Sequence, residues 1–207
     1  MKRPRGRPAR GQGVTREAIL DAAQALLDEG GDAALTMRAL AARLGVTPMS
    51  LYHHVPDRAG LLQALSARIY GNVLDPAGGD DEPRAALRAL LERYCDAVGR
   101  HPALTLAIFA EPAAFAGTTR DITARLTALL SALTPAALLW RDILVDHAHG
   151  GGLARAAARG DPRQAAALRG QYLAALDLLL DLLQAPPSHP RPRRRGLRPG
   201  DGIVEPG

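Results

Sequence analysis

Between Thr36 and Arg58 the chain gathers hydroxyls, imidazoles and guanidiniums at close spacing: Thr36, Arg38, Thr47, Ser50, Tyr52, His53, His54 and Arg58. His53 and His54 do not form a metal pair, because adjacent helical residues point about 100° apart. No nucleophile elbow, phosphate loop, dinucleotide fingerprint or His-Glu-x-x-His motif occurs in the chain. Hydroxyls and imidazoles clustered in this way suit hydrogen bonding to phosphates and base edges, in a duplex groove about 12 Å wide that admits one helix.

Such groups need a rigid frame, and the same stretch supplies it. Met37, Leu40, Ala41 and Leu44 recur at i, i+3, i+4, i+7, the spacing of one helix face. Thr36 is the N-cap, and Gly45 stands where a C′ residue must take positive φ. Only Val46 and Thr47 intervene before Pro48 opens a second helix, and so tight a turn forces a steep crossing, the helix-turn-helix arrangement. Leu51 and Val55 face inward with Pro48 beneath them, which leaves Met49, Ser50, Tyr52, His53 and His54 outward. Tyr52 also suits a partly buried structural role. A helix over 15–29, with Ile19, Ala22, Ala23 and Leu26 on one face, is expected to cross behind the pair. Asp57 caps the next helix, with Arg58 at its start.

Helix is the only strong periodic signal in the chain, so the fold class is all-α. Capping residues followed by Pro mark helix starts at Thr47-Pro48, Thr134-Pro135 and Asp161-Pro162, and less clearly at Glu82-Pro83 and His101-Pro102. Hydrophobic staples are expected for Leu35 with Leu40, Val46 with Leu51 and Leu133 with Leu138. The spacing predicts helices over 15–29, 36–44, 48–54, 57–73, 83–99, 102–110, 118–133, 135–149 and 162–184. Gly150-Gly151-Gly152 is expected to break or bend a helix, at about 1 kcal/mol per Gly. The turn-rich segment 75–82 divides a small N-terminal domain, 15–75, from a larger body, 82–184. A basic arm, 1–14, and a Pro/Arg-rich tail, 185–207, are expected to be disordered.

Charge follows the same division. The 207 residues sum to +5, yet residues 1–16 carry +6 and residues 185–207 carry +3, so the stretch between them carries −4. A basic arm beside a mildly acidic body suits a polyanion-binding end with a separate task for the rest, although a merely solvated tail has the same composition. One cysteine, Cys95, excludes an intramolecular disulfide framework and a Cys-based zinc site. The longest apolar run, Tyr172 to Leu183, holds Asp177 and Asp181 and is too short to span a membrane. No apolar stretch follows the basic start as in a secretory signal, so a cytoplasmic location is expected.

The segment TREAILDAAQALLDEGGDAALTMRALAARLGVTPMSLYHHVPDRAGLLQAL resembles the DNA-binding domain of the tetracycline-repressor (TetR) family of transcriptional regulators, over Thr15 to about Val73. Beyond residue 75 only size and helical content agree. The resemblance implies a three-helix DNA-binding domain, a connecting fourth helix, and a C-terminal helical bundle that binds a small molecule and forms a homodimer. Thr36 and Arg38 match phosphate- and base-contacting positions of the family. Thr47, Pro48, Met49, Ser50, Tyr52, His53 and His54 fall on its recognition segment, with Tyr52 and His54 of common phosphate-contacting types, and Arg58 replaces a frequent Lys. Pro48, Met49 and His53 depart from the common pattern, so the operator sequence does not follow. The expected activity is repression from a palindromic double-stranded operator, released by a small-molecule effector; the alternative is a ligand-independent regulator or activator. No enzymatic activity and no cofactor are expected.

The body carries its own signals. Helix 162–184 is apolar around most of its circumference, which suits burial on its own core on one side and a second subunit on the other, and Leu138, Leu139, Ile143 and Val145 mark helix 135–149 as a second contributor. Candidate ligand contacts are polar-tipped residues on otherwise apolar helices, Tyr94, His101, Thr105, Trp140, His147 and Tyr172, with Phe109 and Phe115 as apolar wall. Asp142, Asp146, His147 and His149 have the residue types for a metal or acid–base site, but charged residues before a Gly-rich turn are usually solvated.

Overall fold

The computed structural model describes residues 14–75 and 82–183; the basic arm up to residue 13 and the Pro/Arg-rich tail lie outside them. Among the described residues there are nine α-helices and no strand: α1 (Arg16–Ala34), α2 (Met37–Leu44), α3 (Pro48–Tyr52), α4 (Arg58–Tyr70), α5 (Pro83–Arg100), α6 (Pro102–Ala110), α7 (Thr118–Ser131), α8 (Ala137–Ala157) and α9 (Pro162–Leu182). Short 3-10 turns follow α4 (Gly71–Leu74) and α6 (Pro112–Ala114). No helix among the described residues is long and apolar enough to cross a membrane.

Most helix starts lie where capping chemistry puts them. Thr15, Thr36, Thr47 and Asp57 each accept a hydrogen bond from the backbone N–H three residues on, and Glu82 and Asp161 each cap two N–H groups. Two signals fail. His101 gives no side-chain cap to α6. Thr134 accepts from Ala136 N–H at 3.3 Å, and α8 begins only at Ala137, so Leu138 stays 59% exposed and its staple with Leu133 does not form.

The N-terminal elements pack around Ile19, Leu20, Ala23 and Leu27 of α1, Leu40 and Ala41 of α2, Leu51, Val55, and Leu61, Leu62 and Leu65 of α4, all buried. The α1 face is thus rotated from the expected one: Ala22 and Leu26 sit at its edge and are only partly buried. The backbone leaves the helical region at Gly31 (φ 66°, ψ −159°), turning the chain toward α2. In the body, α5 lies under α8 and α9, α7 packs on α4, α5 and α8, and α6 packs on α1 and α4.

The three glycines do not break α8, which runs through them to Ala157. A Cβ on Gly152 would lie 2.6 Å from Val98 Cγ1 and 2.9 Å from the Cys95 carbonyl oxygen; one on Gly151 would lie 2.6 Å from Tyr172 Cδ2. Gly152 therefore lets α8 lie directly on α5 and Gly151 makes room for Tyr172 of α9, and this tertiary packing outweighs their weak helix propensity. Gly150 meets nothing within 4 Å.

Charges link the same helices. Asp177 and Asp181 of α9 pair with Arg88 and Arg84 of α5, the first at 2.6 Å. Arg155 of α8 and Arg169 of α9 converge on Asp96 of α5. Burial pushes the Asp96 carboxyl up, but hydrogen bonds and charge from Arg155 and Arg169 outweigh it and hold the carboxyl below the ordinary value.

Two predictions follow from this packing. Gly152→Ala is expected to destabilise the protein by about 1–3 kcal/mol through overpacking against backbone, whereas Gly150→Ala stabilises it by about 0.5–1 kcal/mol; urea unfolding of the two variants checks the contrast. A carboxylate held low contributes stability above its unfolded pKa and loses it as pH falls through the folded value. Asp96→Asn is accordingly expected to lower the melting temperature at neutral pH. It should also make the decline on acidification, roughly from pH 5 downward, shallower than in the wild type.

Candidate functional site

The first candidate site is built on α2, the turn and α3. Gly45 takes the left-handed conformation (φ 66°, ψ 28°), its N–H bonded to the Ala41 and Ala42 carbonyls, while Val46 N–H reaches the Ala41 carbonyl at 3.0 Å. That closes α2 and aims the chain at α3. Thr47 Oγ1 accepts from Ser50 N–H at 3.4 Å and lies 3.0 Å from Ser50 Oγ. Leu51 and Val55 are fully buried and fix the orientation of α3. Helix α3 is shorter than expected, ending at Tyr52, so His53 and His54 sit in the turn beyond it.

Of the ten residues assigned to this site, Thr36, Arg38, Thr47, Pro48, Met49, Tyr52, His53 and His54 are exposed and Ser50 is half-buried. Met49 is 68% exposed and Tyr52 45% exposed. Arg58 stands apart. Its guanidinium bonds Asp32, the Leu35 carbonyl at 3.1 Å and Glu111 at 3.5 Å. Its charge joins α4 to the end of α1 and the end of α6, although the residue was expected at the DNA-binding surface. Arg43 of α2 is likewise held by Glu29, at 2.6 Å on both nitrogens. Arg38 makes no ion pair among the described residues.

The second candidate site is a cavity of about 300 Å³ among α5, α6, α7 and α8, closed at one end by Tyr70 of α4. Tyr70 Oη lies 2.7 Å from Thr105 Oγ1, and Tyr94 Oη lies 2.7 Å from His149 Nε2. Phe109 meets the His149 ring edge to face at 4.9 Å. Burial pushes the Tyr70 hydroxyl up to about 12, against the lowering effect of its bond to Thr105, and pushes Tyr94 up as well. Burial lowers His149, opposed by the Asp146 charge, which favours a neutral ring. Arg141 and Asp142 stand at the outer end, bonded to each other at 2.7 Å.

Tyr94, Thr105 and Phe109 line this cavity as expected of them, and so does Phe115. Four other expected ligand contacts do not. His101 sits at the α5–α6 junction, and Trp140 is half-buried on the side of α8 outside the cavity lining. His147 and Tyr172 stack on each other at 4.8 Å in a separate groove between α8 and α9, and Tyr172 Oη donates to the Leu91 carbonyl at 3.0 Å. His147 and His149 therefore face different helices, and the Asp/His cluster of α8 is not assembled at one point. Among the described residues no group of three or more potential metal ligands forms. Residues not singled out from sequence as ligand contacts include Tyr70, Arg141, Thr119, Thr123 and His149. The i, i+3, i+7 spacing of Asp142, Val145 and His149 was the available signal for one shared face.

A third feature is apolar and outward. Leu138, Leu139 and Ile143 of α8 are 59%, 63% and 39% exposed, and Leu178 and Leu182 of α9 are 66% and 56% exposed. Singly such residues need no explanation; here five lie on two helices that pack on each other.

Comparison with known proteins places these features. Residues 19–65 match the family model of bacterial regulatory proteins of the tetR family. The chain is 37% identical over 99 residues to the HTH-type transcriptional repressor DrrR1 of Streptomyces coeruleorubidus, covering 46% of this chain and 37% of that one. It spans less than half the length of the curated relatives it matches. Among solved structures, the transcriptional regulator SCO7222, a TetR from Streptomyces coelicolor, is 27% identical, with 83% of this chain and 98% of that one aligned at a TM-score of 0.64. BioQ with its double-stranded DNA operator is 25% identical over 83% of this chain and 99% of that one, at a TM-score of 0.62. The N-terminal helix-turn-helix joined to a C-terminal helical bundle is the architecture of these structures. By its helix-turn-helix segment, its fold and these relatives, the chain carries the DNA-binding domain of the tetR family of bacterial regulatory proteins over residues 19–65 and is similar to regulators of that family beyond it.

Proposed function

We propose that this protein is a sequence-specific DNA-binding transcriptional repressor that grips a palindromic operator as a homodimer and releases it when a small molecule fills the cavity. The observation that carries the reading is the α2–turn–α3 unit: Leu51 and Val55 anchor it while Thr47, Met49, Tyr52, His53 and His54 remain exposed. A short anchored helix with polar tips is what a major groove accepts. Residues 15–75 form the reading domain and residues 82–184 the sensing and dimerising body. Thr36 and Arg38 add contacts from the start of α2. The BioQ structure on its operator supports this docking mode.

Dimerisation is assigned to the exposed leucines and Ile143 of α8 and α9. Two such faces from two subunits make a four-helix bundle around a two-fold axis, and that axis supplies the operator's symmetry. Coupling between cavity and reading domain runs through the end of α6. Phe109 and Phe115 line the cavity, and between them Glu111 bonds Arg58 and the Ala113 carbonyl accepts from Gln63 Nε2 at 2.9 Å, both on α4. A molecule that displaces the two phenylalanines shifts the groups that hold α4. The cavity favours this ligand-responsive reading over a ligand-independent regulator. No enzymatic activity is assigned, since His147 and His149 face different helices and no group of three potential metal ligands forms among the described residues.

Tyr52→Ala is expected to weaken binding to the DNA flanking the protein's own gene by about tenfold, or 1.4 kcal/mol, with an unchanged melting temperature. Gel-shift titration checks it, and a folded wild-type protein that binds no such DNA defeats the reading. The double variant Leu139→Glu with Leu178→Glu should remain folded, because both side chains are exposed. It is expected to sediment as a monomer at micromolar concentration where the wild type sediments as a dimer. A monomeric wild type, or a variant that still dimerises, refutes the assigned interface.

A further inference from the structure

We infer that the cavity takes an uncharged aromatic molecule of about two fused rings bearing a hydroxyl group, recognised by the Tyr94–His149 pair; calling that molecule the effector rests on the regulator reading above. Size is the first argument. An apolar cavity of about 150 Å³ holds one benzene ring, and this one measures about 300 Å³. The walls argue for aromatic character, since Tyr70, Tyr94 and the His149 ring line it, with Phe109 and Phe115 at its exposed side. Tyr70 and Tyr94 already meet edge to face at 6.1 Å, and Phe109 and His149 at 4.9 Å, the arrangement that a further ring extends.

The polar groups argue for the hydroxyl and against a charge. Thr119 and Thr123 donate to the Ala116 and Thr119 carbonyls, and Thr105 donates to the His101 carbonyl at 3.4 Å while it bonds Tyr70. Their hydrogens are committed within the protein. The Tyr94–His149 pair keeps capacity to spare: if Tyr94 donates to His149, its oxygen accepts from a ligand, and if His149 donates, the Tyr94 hydroxyl is free to donate outward. A ligand hydroxyl, donor and acceptor at once, satisfies either arrangement. No charged side chain lines this inner end; the Asp146 charge acts on His149 from outside the lining. The charges that line the cavity, Arg141 and Asp142, neutralise each other at the outer end. An ionised group carried inward loses its water and meets no counter-ion.

Titration calorimetry of the full chain at neutral pH with three probes tests this. 2-Naphthol is expected to bind about tenfold tighter than naphthalene, which lacks the hydroxyl, and about tenfold tighter than 2-naphthoate, which carries a charge. Tyr94→Phe should still bind naphthalene, which shows that its cavity is intact, but lose the preference for 2-naphthol. Absence of 2-naphthol binding, equal or tighter binding of 2-naphthoate, or a preference that survives Tyr94→Phe overturns the inference. A parallel gel shift separates the two readings. Operator binding without 2-naphthol binding refutes the ligand class alone. A calorimetric signal from a protein that grips no DNA, or that keeps its grip when saturated, refutes the ligand-released regulator and leaves the cavity assignment standing.

Discussion

The contact of α8 with α5 at Gly151 and Gly152 is the constraint on which the body depends. With backbone within reach of the Cys95 carbonyl and the Val98 side chain, α8 has one possible rotation about its axis. That rotation sends His149 toward Tyr94 and the cavity, His147 toward Tyr172 on α9, and Leu139 and Ile143 outward. One helix thus serves three surfaces, and the glycines decide which residue serves which. The carboxylates of α5 reinforce the setting, because Asp96 receives Arg155 from α8 and Arg169 from α9 on one side chain.

What could be read from sequence was local. Helix starts at Thr15, Thr36, Thr47, Asp57 and Asp161 depend on a side chain and an N–H three residues apart or fewer, and a short window contains both. The helix-turn-helix was legible for the same reason: Gly45, Thr47 and Leu51 specify it within a few residues. At Thr134 local chemistry alone does not decide the outcome. Its hydroxyl satisfies an N–H two residues on instead of capping a helix, and the same Thr-Pro pair fits both outcomes. Gly150-Gly151-Gly152 reads locally as a break, and only the backbone of α5, some fifty residues earlier, makes it a seat.

The cavity was legible only in part, and again distance explains it. Its lining runs from Tyr70 to His149 over five helices, so no pattern within one element could gather it. Polarity on an apolar helix singles out Tyr94 and Thr105, which line the cavity, but equally Tyr172, whose hydroxyl is spent on the Leu91 carbonyl. A buried polar tip signals a partner and does not say whether that partner is protein or ligand.

Arg58 carries a consequence for how the two parts of the chain can move. A single half-buried guanidinium satisfies acceptors at the end of α1, at the approach to α2 and at the end of α6. Hydrogen bonds to a charged group are worth about 1.5–3 kcal/mol each, and a cation stranded between arrangements has neither these nor full hydration. Moving α4 off its neighbours therefore has to release three contacts of one side chain, on two helix ends and the approach to a third.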